Sequence, residues 1–170
     1  MPLARFFLEV DEEELEDGEL PDDDFILTDE EFNVVVRSRG LARRLIEELD
    51  NPIVCRKVVY EEAKAAFDAI EARVTRHVII EPPDRHSLVF LKPGERVYQL
   101  PVEGYVVTPV ADVGDRLKKG DPLAAVTTRR GDVRYVEAPH PCLVVYVCEQ
   151  EAVRAQRRPN YEYYIVPVEE

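Results

Sequence analysis

The run Val113-Gly114-Asp115-Arg116-Leu117-Lys118-Lys119-Gly120-Asp121-Pro122-Leu123 sets the texture of the second half of this 170-residue chain. Gly-Asp occurs twice within it, and again at Gly131-Asp132, with a further turn signal at Pro139-His140-Pro141. Glycine reaches positive φ without a Cβ clash, and aspartate bonds its own nearby backbone, so these pairs mark tight turns. Between them lie short Val-rich runs such as Leu143 to Val147. From Pro101 onward the helical period is absent. Short strands between closely spaced turns predict an all-β sandwich or barrel.

Upstream the pattern differs. Leu3 to Val10 reads as a strand, Asp11–Asp24 as an acidic mobile loop, and Phe25-Ile26-Leu27 as a return strand. Thr28-Asp29-Glu30-Glu31 has the form of a capping box, which predicts a helical turn ahead of the β-prone Val34-Val35-Val36. Leu41, Leu45, Ile46 and Leu49 share one helical face, and Asp50-Asn51-Pro52 ends that helix. Ile53 to Tyr60 is a predicted strand. Glu61 to Val74 reads as a second helix, with Ala63, Phe67, Ile70 and Val74 on one stripe. Strands at His77–Ile80 and Ser87–Leu91 follow, then the turn Lys92-Pro93-Gly94-Glu95 and Arg96 to Leu100. The expected fold class is therefore α+β: an α+β domain over 1–100, an all-β domain over 101–148, and a C-terminal segment over 149–170. That last segment holds a helix or loop at Glu149–Arg158 and a final strand at Tyr161–Val168.

The net charge of −13 is local. Residues 1–31 hold 14 acids and the single base Arg5, whereas the remaining 139 residues hold 21 of each sign. Bulk acidity disfavours a general nucleic-acid binder. Three cysteines, Cys55, Cys142 and Cys148, form no CxxC and cannot all pair, which fits a reducing compartment. No apolar run approaches the roughly 18–20 residues of a spanning helix. An acidic tract stands where a signal peptide needs a basic start and an apolar centre. A cytoplasmic location is expected. One Met, no Trp and three Gln resemble a thermophile's usage.

The stretch Gly104 to Ala124 resembles a biotinyl/lipoyl domain, through Val113-Gly114-Asp115, Leu117 and Lys119-Gly120-Asp121-Pro122-Leu123. Val136-Glu137-Ala138-Pro139 and Leu143-Val144-Val145-Tyr146-Val147 are similar to that family's second half. The resemblance covers about 101–148 and implies a barrel-sandwich hybrid fold. The whole chain also resembles an uncharacterised archaeal family that appends such a domain to a small α+β domain. Carrier members place a Lys on a hairpin about eight residues before the Pro matching Pro139. That position here is Gly131, within Thr127-Thr128-Arg129-Arg130-Gly131-Asp132-Val133. No lysine lies in this hairpin, and a guanidinium cannot take an amide-linked cofactor. The expectation is no biotin or lipoyl attachment and no cofactor. Family members without the Lys act as structural or docking modules.

The candidate partner-binding residues are Arg129 and Arg130, on a predicted hairpin tip, and the acidic Asp22, Asp23 and Asp24. The arginine pair suits an acidic partner, and the acidic tract suits a basic one. Arg37, Arg39, Arg43 and Arg44 read as a solvated helix face, with RNA contact the weaker alternative. His140, Cys142 and Cys148 match no strong zinc spacing, and Cys142 reads as a space-filling residue where carriers keep a Gly. No GxSxG, HExxH or Walker-type motif is present, and His77 and His86 have no nucleophile at a recognisable spacing. No catalytic or metal-binding residue is assigned. The expected function is a non-enzymatic interaction or scaffold module docking on a larger assembly. An accessory enzyme subunit and a ribosome- or RNA-associated factor are the alternatives, and a homo-oligomer is compatible with all three.

Overall fold

The computed structural model describes residues 3–11, 20–84, 87–150 and 160–169. The expected acidic loop, the helix or loop at Glu149–Arg158, and His86 fall wholly or partly outside them. The chain divides into two compact units, Met1–Phe67 with Val74–Glu95, and Asp68–Arg73 with Arg96–Glu170.

The first unit is built on a six-stranded antiparallel sheet. Its strands are β1 (Arg5–Glu9), β2 (Phe25–Thr28), β3 (Val35–Val36), β4 (Ile53–Val58), β7 (Val78–Glu81) and β8 (Val89–Leu91), in the order β3-β2-β4-β1-β7-β8. The four central strands carry the unbroken apolar triplets Phe25-Ile26-Leu27, Val54-Cys55 after Ile53, Phe6-Phe7-Leu8, and Val78-Ile79-Ile80, all buried. Strands covered on both faces need such runs rather than alternation. On one face, Phe25, Leu27, Val36 and Val54 pack with Ala42, Leu45 and Ile46 of helix α1 (Arg39–Glu48) and with its C-cap Leu49. On the other, Phe7, Ile26, Ile53, Cys55 and Ile79 pack with Phe32, Leu88 and Phe90.

The α+β expectation for this part is overturned. The protein is mostly β, and its only α-helix among the described residues has ten residues. The second predicted helix is instead a seven-residue 3₁₀ helix, Tyr60–Ala66, followed by the short strands β5 (Phe67–Asp68) and β6 (Arg73–Val74). The Asp68 carboxylate accepts hydrogen bonds from the backbone N–H groups of Ile70 and Glu71, and Ala72 takes a left-handed φ of 56°. A side chain bonding the next backbone groups competes with helix continuation. Phe67 and Val74 are buried as strand residues, whereas Ile70 is 97% exposed. The apparent stripe therefore joined residues that face different surroundings. The capping box also opens no helix. Asp29, not Thr28, caps the turn, accepting from the N–H groups of Glu31 (3.1 Å) and Asn33 (2.8 Å), with Phe32 at φ 57°. In α1, the small Ala42 is the fully buried residue, and Leu41 is exposed.

The second unit contains two antiparallel sheets. One holds β10 (Val106–Pro109), β12 (Pro122–Thr127) and β13 (Val133–Glu137), in the order β10-β12-β13. The other holds β9 (Tyr98–Val102), β11 (Arg116–Leu117), β14 (Cys142–Gln150) and β15 (Asn160–Pro167), in the order β11-β14-β15-β9. Val107, Leu123, Ala124 and Val126 of the first sheet share one core with Val102, Cys142, Val144, Tyr163 and Ile165 of the second. Tyr163 is fully buried in that core, and its hydroxyl donates to the carbonyls of Leu123 (2.8 Å) and Ala111 (3.2 Å). A buried hydroxyl needs such partners, because leaving it unpaired is costly.

Two turns join the sheets by one repeated device. In Asp112–Asp115 the N–H of Asp112 donates to the Asp115 carboxylate, and the N–H of Asp115 donates to the Asp112 carbonyl. In Lys118–Asp121 the corresponding groups of Lys118 and Asp121 do the same. Gly114 and Gly120 sit at φ 97° and 93°, which glycine adopts without strain. Each turn then clamps one residue through two backbone bonds. Gly114 and Asp115 hold Val144 at 2.8 and 3.0 Å, and Gly120 and Asp121 hold Ala138 at 2.9 and 2.8 Å.

Replacing Tyr163 by Phe is expected to lower unfolding stability by about 1 kcal/mol, the usual net worth of a buried hydrogen bond, in urea titration. Ile70→Asp is expected to change stability by less than about 0.5 kcal/mol, as for an exposed turn. A loss of several kcal/mol there would restore the second helix.

Candidate docking site at the β12–β13 hairpin

The loop between β12 and β13 spans Thr128–Asp132 and is closed by its own backbone. Thr128 N–H donates to the Asp132 carbonyl (2.8 Å), Gly131 N–H to the Thr128 carbonyl (2.9 Å), and Asp132 N–H to the Thr128 hydroxyl (3.2 Å). With Thr128 and Asp132 as the closing pair, three residues remain at the tip, and Gly131 has φ 91°, the left-handed position that three-residue hairpin loops assign to glycine. A Cβ placed there would meet no atom within 4 Å. Arg129 lies over the Tyr105 ring, 5.5 Å from its centre, and Arg130 is exposed beside it. A cation over an aromatic face at an exposed site is worth about 0.5–1 kcal/mol, enough to bias the arginine's direction.

The hairpin extends into a two-faced edge. Pairing places Val106, Thr127 and Val133 in one outward row, and Thr108, Ala125 and Tyr135 in the next. The inward rows are Val107, Val126 and Arg134, then Ala124 and Val136. Val133 is 56% exposed and Tyr135 is 59% exposed. Arg134 therefore occupies a core-facing register on the last strand of the sheet, yet is exposed. The sequence reading named Arg129 and Arg130 and missed Val133, Arg134 and Tyr135. The alternation Val-Arg-Tyr-Val-Glu was visible, but which strand lies at the edge is a pairing outcome.

Asp22, Asp23 and Asp24 are exposed and belong to the first unit, whereas Arg129 and Arg130 belong to the second. The cations around the aspartates are Arg37 and Arg39, which line a concavity of 260 Å³ with them and Phe25. Arg39 donates to the carbonyls of Pro21 and Asp22 and stacks over Phe25 at 5.2 Å. Arg37 stacks over Phe7 at 5.3 Å and pairs at 2.8 Å with Glu81, which Arg5 also contacts. These two arginines thus hold the first unit together, while Arg43 and Arg44 remain exposed on α1.

His77 places Nδ1 2.8 Å from a Glu9 carboxylate oxygen that also accepts its backbone N–H, with the Phe32 ring edge-on. His140 Nδ1 lies 3.1 Å from the Pro141 carbonyl, and Tyr98 approaches its ring. Among the described residues, no three His, Cys, Asp or Glu side chains are grouped to hold a metal ion. Cys142 is fully buried in the core of the second unit. Burial raises the pKa of its thiol, and Asp121 adds to the shift. Cys55 is raised far more, again by burial first and then by Glu9. Among the described residues no helix is long and apolar enough to cross a membrane.

The hairpin and its edge strand define a small β protein with an exposed mixed apolar and cationic rim. The chain matches over residues 1–168 a family described as an uncharacterized protein conserved in archaea (DUF2118), and it belongs to that family. It is 31% identical over 141 residues to the uncharacterized protein MJ0859 of Methanocaldococcus jannaschii, covering 81% of this chain and 84% of that one.

Cys55 and Cys142 are expected to resist thiol reagents in the folded protein at pH 8. A raised pKa keeps each protonated, and burial excludes the reagent. Cys148, partly exposed, is expected to react first in a colorimetric thiol titration, the other two only after guanidinium unfolding.

Proposed function

We propose that this protein is a non-enzymatic cytoplasmic interaction module that docks on a larger assembly. Its residues 101–148 act as a biotinyl/lipoyl-like domain that carries no cofactor. One observation carries the reading. The position that the biotinyl/lipoyl resemblance matches to the carrier lysine is Gly131, which sits at the tip of an exposed hairpin at φ 91°. A lysine there would be both absent chemistry and strained backbone, because L side chains rarely adopt that φ. What the tip offers instead is recognition: Arg129 held over Tyr105, Arg130 beside it, and the exposed Val133 and Tyr135 along the strand. Aromatic and arginine side chains together are the typical anchors of protein interfaces. The doubly clamped turns give this rim a rigid base, which limits the ordering cost of binding.

Capture from the source cell followed by intact-mass measurement tests the reading. The bait is expected to have its unmodified mass and to retain a partner in stoichiometric amount. Arg129→Glu with Arg130→Glu is expected to reduce retention about tenfold, the effect of reversing a rim of complementary charge. A bait mass raised by a biotinyl or lipoyl group, or a bait that retains nothing, overturns it.

A further inference from the structure

We infer that β13 is a strand-addition site, and that its occupant is an extended segment of a partner protein in which acidic and apolar residues alternate. This rests on the interaction-module reading and names the partner's chemistry. β13 is the last strand of its sheet, and among the described residues no strand pairs with its far side. Four of its five residues are exposed. Its outer edge thus presents backbone N–H and C=O groups to an incoming chain.

The side chains set what that chain must be. Side chains alternate across a strand, so an added strand places every second residue beside Arg134 and the others beside Val133 and Tyr135. A carboxylate next to Arg134 forms a charge-assisted pair at the rim of the core, where a neutral or basic residue leaves the guanidinium unmatched. On the outward face, Val133 and Tyr135 stand beside the low platform of Ala125 and Thr127, which favours apolar neighbours. Arg130, exposed in the loop that precedes β13, stands within reach of a second carboxylate on the added segment.

The same arginine argues against a second copy of this chain. With a two-fold axis through Arg134, two guanidinium groups face each other, and like charges directly opposite are destabilising. With the axis through Tyr135, Arg134 faces Val136 of the other copy and gains no counter-charge; with the axis through Val133 it would face Asp132, which lies in the hairpin loop outside β13. A charge in an inward register on an edge strand is a known guard against self-pairing. Here it also selects for acid.

The test uses the full-length protein and a fluorescein-labelled octapeptide alternating Glu and Val, read by fluorescence polarisation. Controls replace Glu by Gln or by Lys. The Glu peptide is expected to bind about tenfold more tightly than the Gln peptide, as befits one charge-assisted hydrogen bond, and the Lys peptide more weakly still. Arg134→Glu is expected to abolish that preference, and Tyr135→Ser to weaken all the peptides. Both sites are exposed, and unchanged melting curves verify the fold. Hydrogen exchange is expected to slow at the amides of residues 133–137 on binding, which a merely electrostatic contact would not produce. Equal binding of the Glu and Gln peptides, an unaffected Arg134→Glu variant, or unprotected β13 amides overturns the proposal. So does concentration-dependent dimerisation lost in Tyr135→Ser, which would make the occupant a second copy. Native capture with Arg134→Glu separates the two readings. A partner retained equally by variant and wild type removes the β13 site and leaves the interaction module standing.

Discussion

The second unit depends on two turns that are each closed by their own aspartate and each clamp a distant residue. An Asp side chain holds the first N–H of its turn, a glycine takes the positive φ, and the freed N–H and C=O grip one partner from both sides. Because Val144 lies near the start of β14 and Ala138 directly follows β13, the two clamps fix strands in both sheets. The registers that follow place Tyr163 where its hydroxyl meets the Leu123 carbonyl. That carbonyl also accepts from Val110 and Ala111, so one oxygen ties the strand β12, the segment after β10, and β15. Removing water from such a cluster strengthens its electrostatics, and each partner makes the others harder to replace.

A third turn of the same chemistry occurs in the first unit. In Lys92–Glu95 the N–H of Lys92 donates to the Glu95 carboxylate, and Gly94 sits at φ 92°. Gly94 and Glu95 grip Val74 by two backbone bonds of 2.7 and 2.8 Å. The protein therefore solves the same local problem three times, holding a bend rigid without a helix or a disulfide. Elsewhere in this unit the rigidity comes from charge. Glu81 is nearly buried and faces Arg5 and Arg37, and Arg37 also covers the Phe7 ring. Lys92 pairs with Glu31.

Rigidity bears on the proposed docking role because the exposed rim is small. A short edge strand with one arginine, one tyrosine and one valine binds usefully only if its geometry is preset. The hairpin presents Gly131 at φ 91° between arginines and an aspartate and holds no amine, which supports the proposed recognition role. Arginine serves this better than lysine, since its planar guanidinium both stacks on Tyr105 and pairs with carboxylates.

Turn chemistry was legible in the sequence, because glycine and aspartate act within four residues. The Gly-Asp pairs at 114–115, 120–121 and 131–132 are all turns, and each of the three glycines has positive φ. The absence of an amine on the hairpin was equally legible, since it is a matter of residue identity. The second helix was not, although the first is present as α1. Ala63, Phe67, Ile70 and Val74 have helical spacing, yet Asp68 diverts the chain, and strand pairing then buries Phe67 and Val74 separately. Apolar periodicity reports burial only when all the apolar residues meet one surface. The sequence by itself thus determined the bends and the absence of an amine on the 127–133 hairpin, both set by local sterics and side-chain chemistry. Only the tertiary structure decided that the N-terminal part is a β-sheet rather than α+β. It alone decided that Tyr163 would bind two carbonyls and that Arg134 would stand on an open edge. Those outcomes depend on which strands pair, and pairing joins groups that lie far apart along the chain.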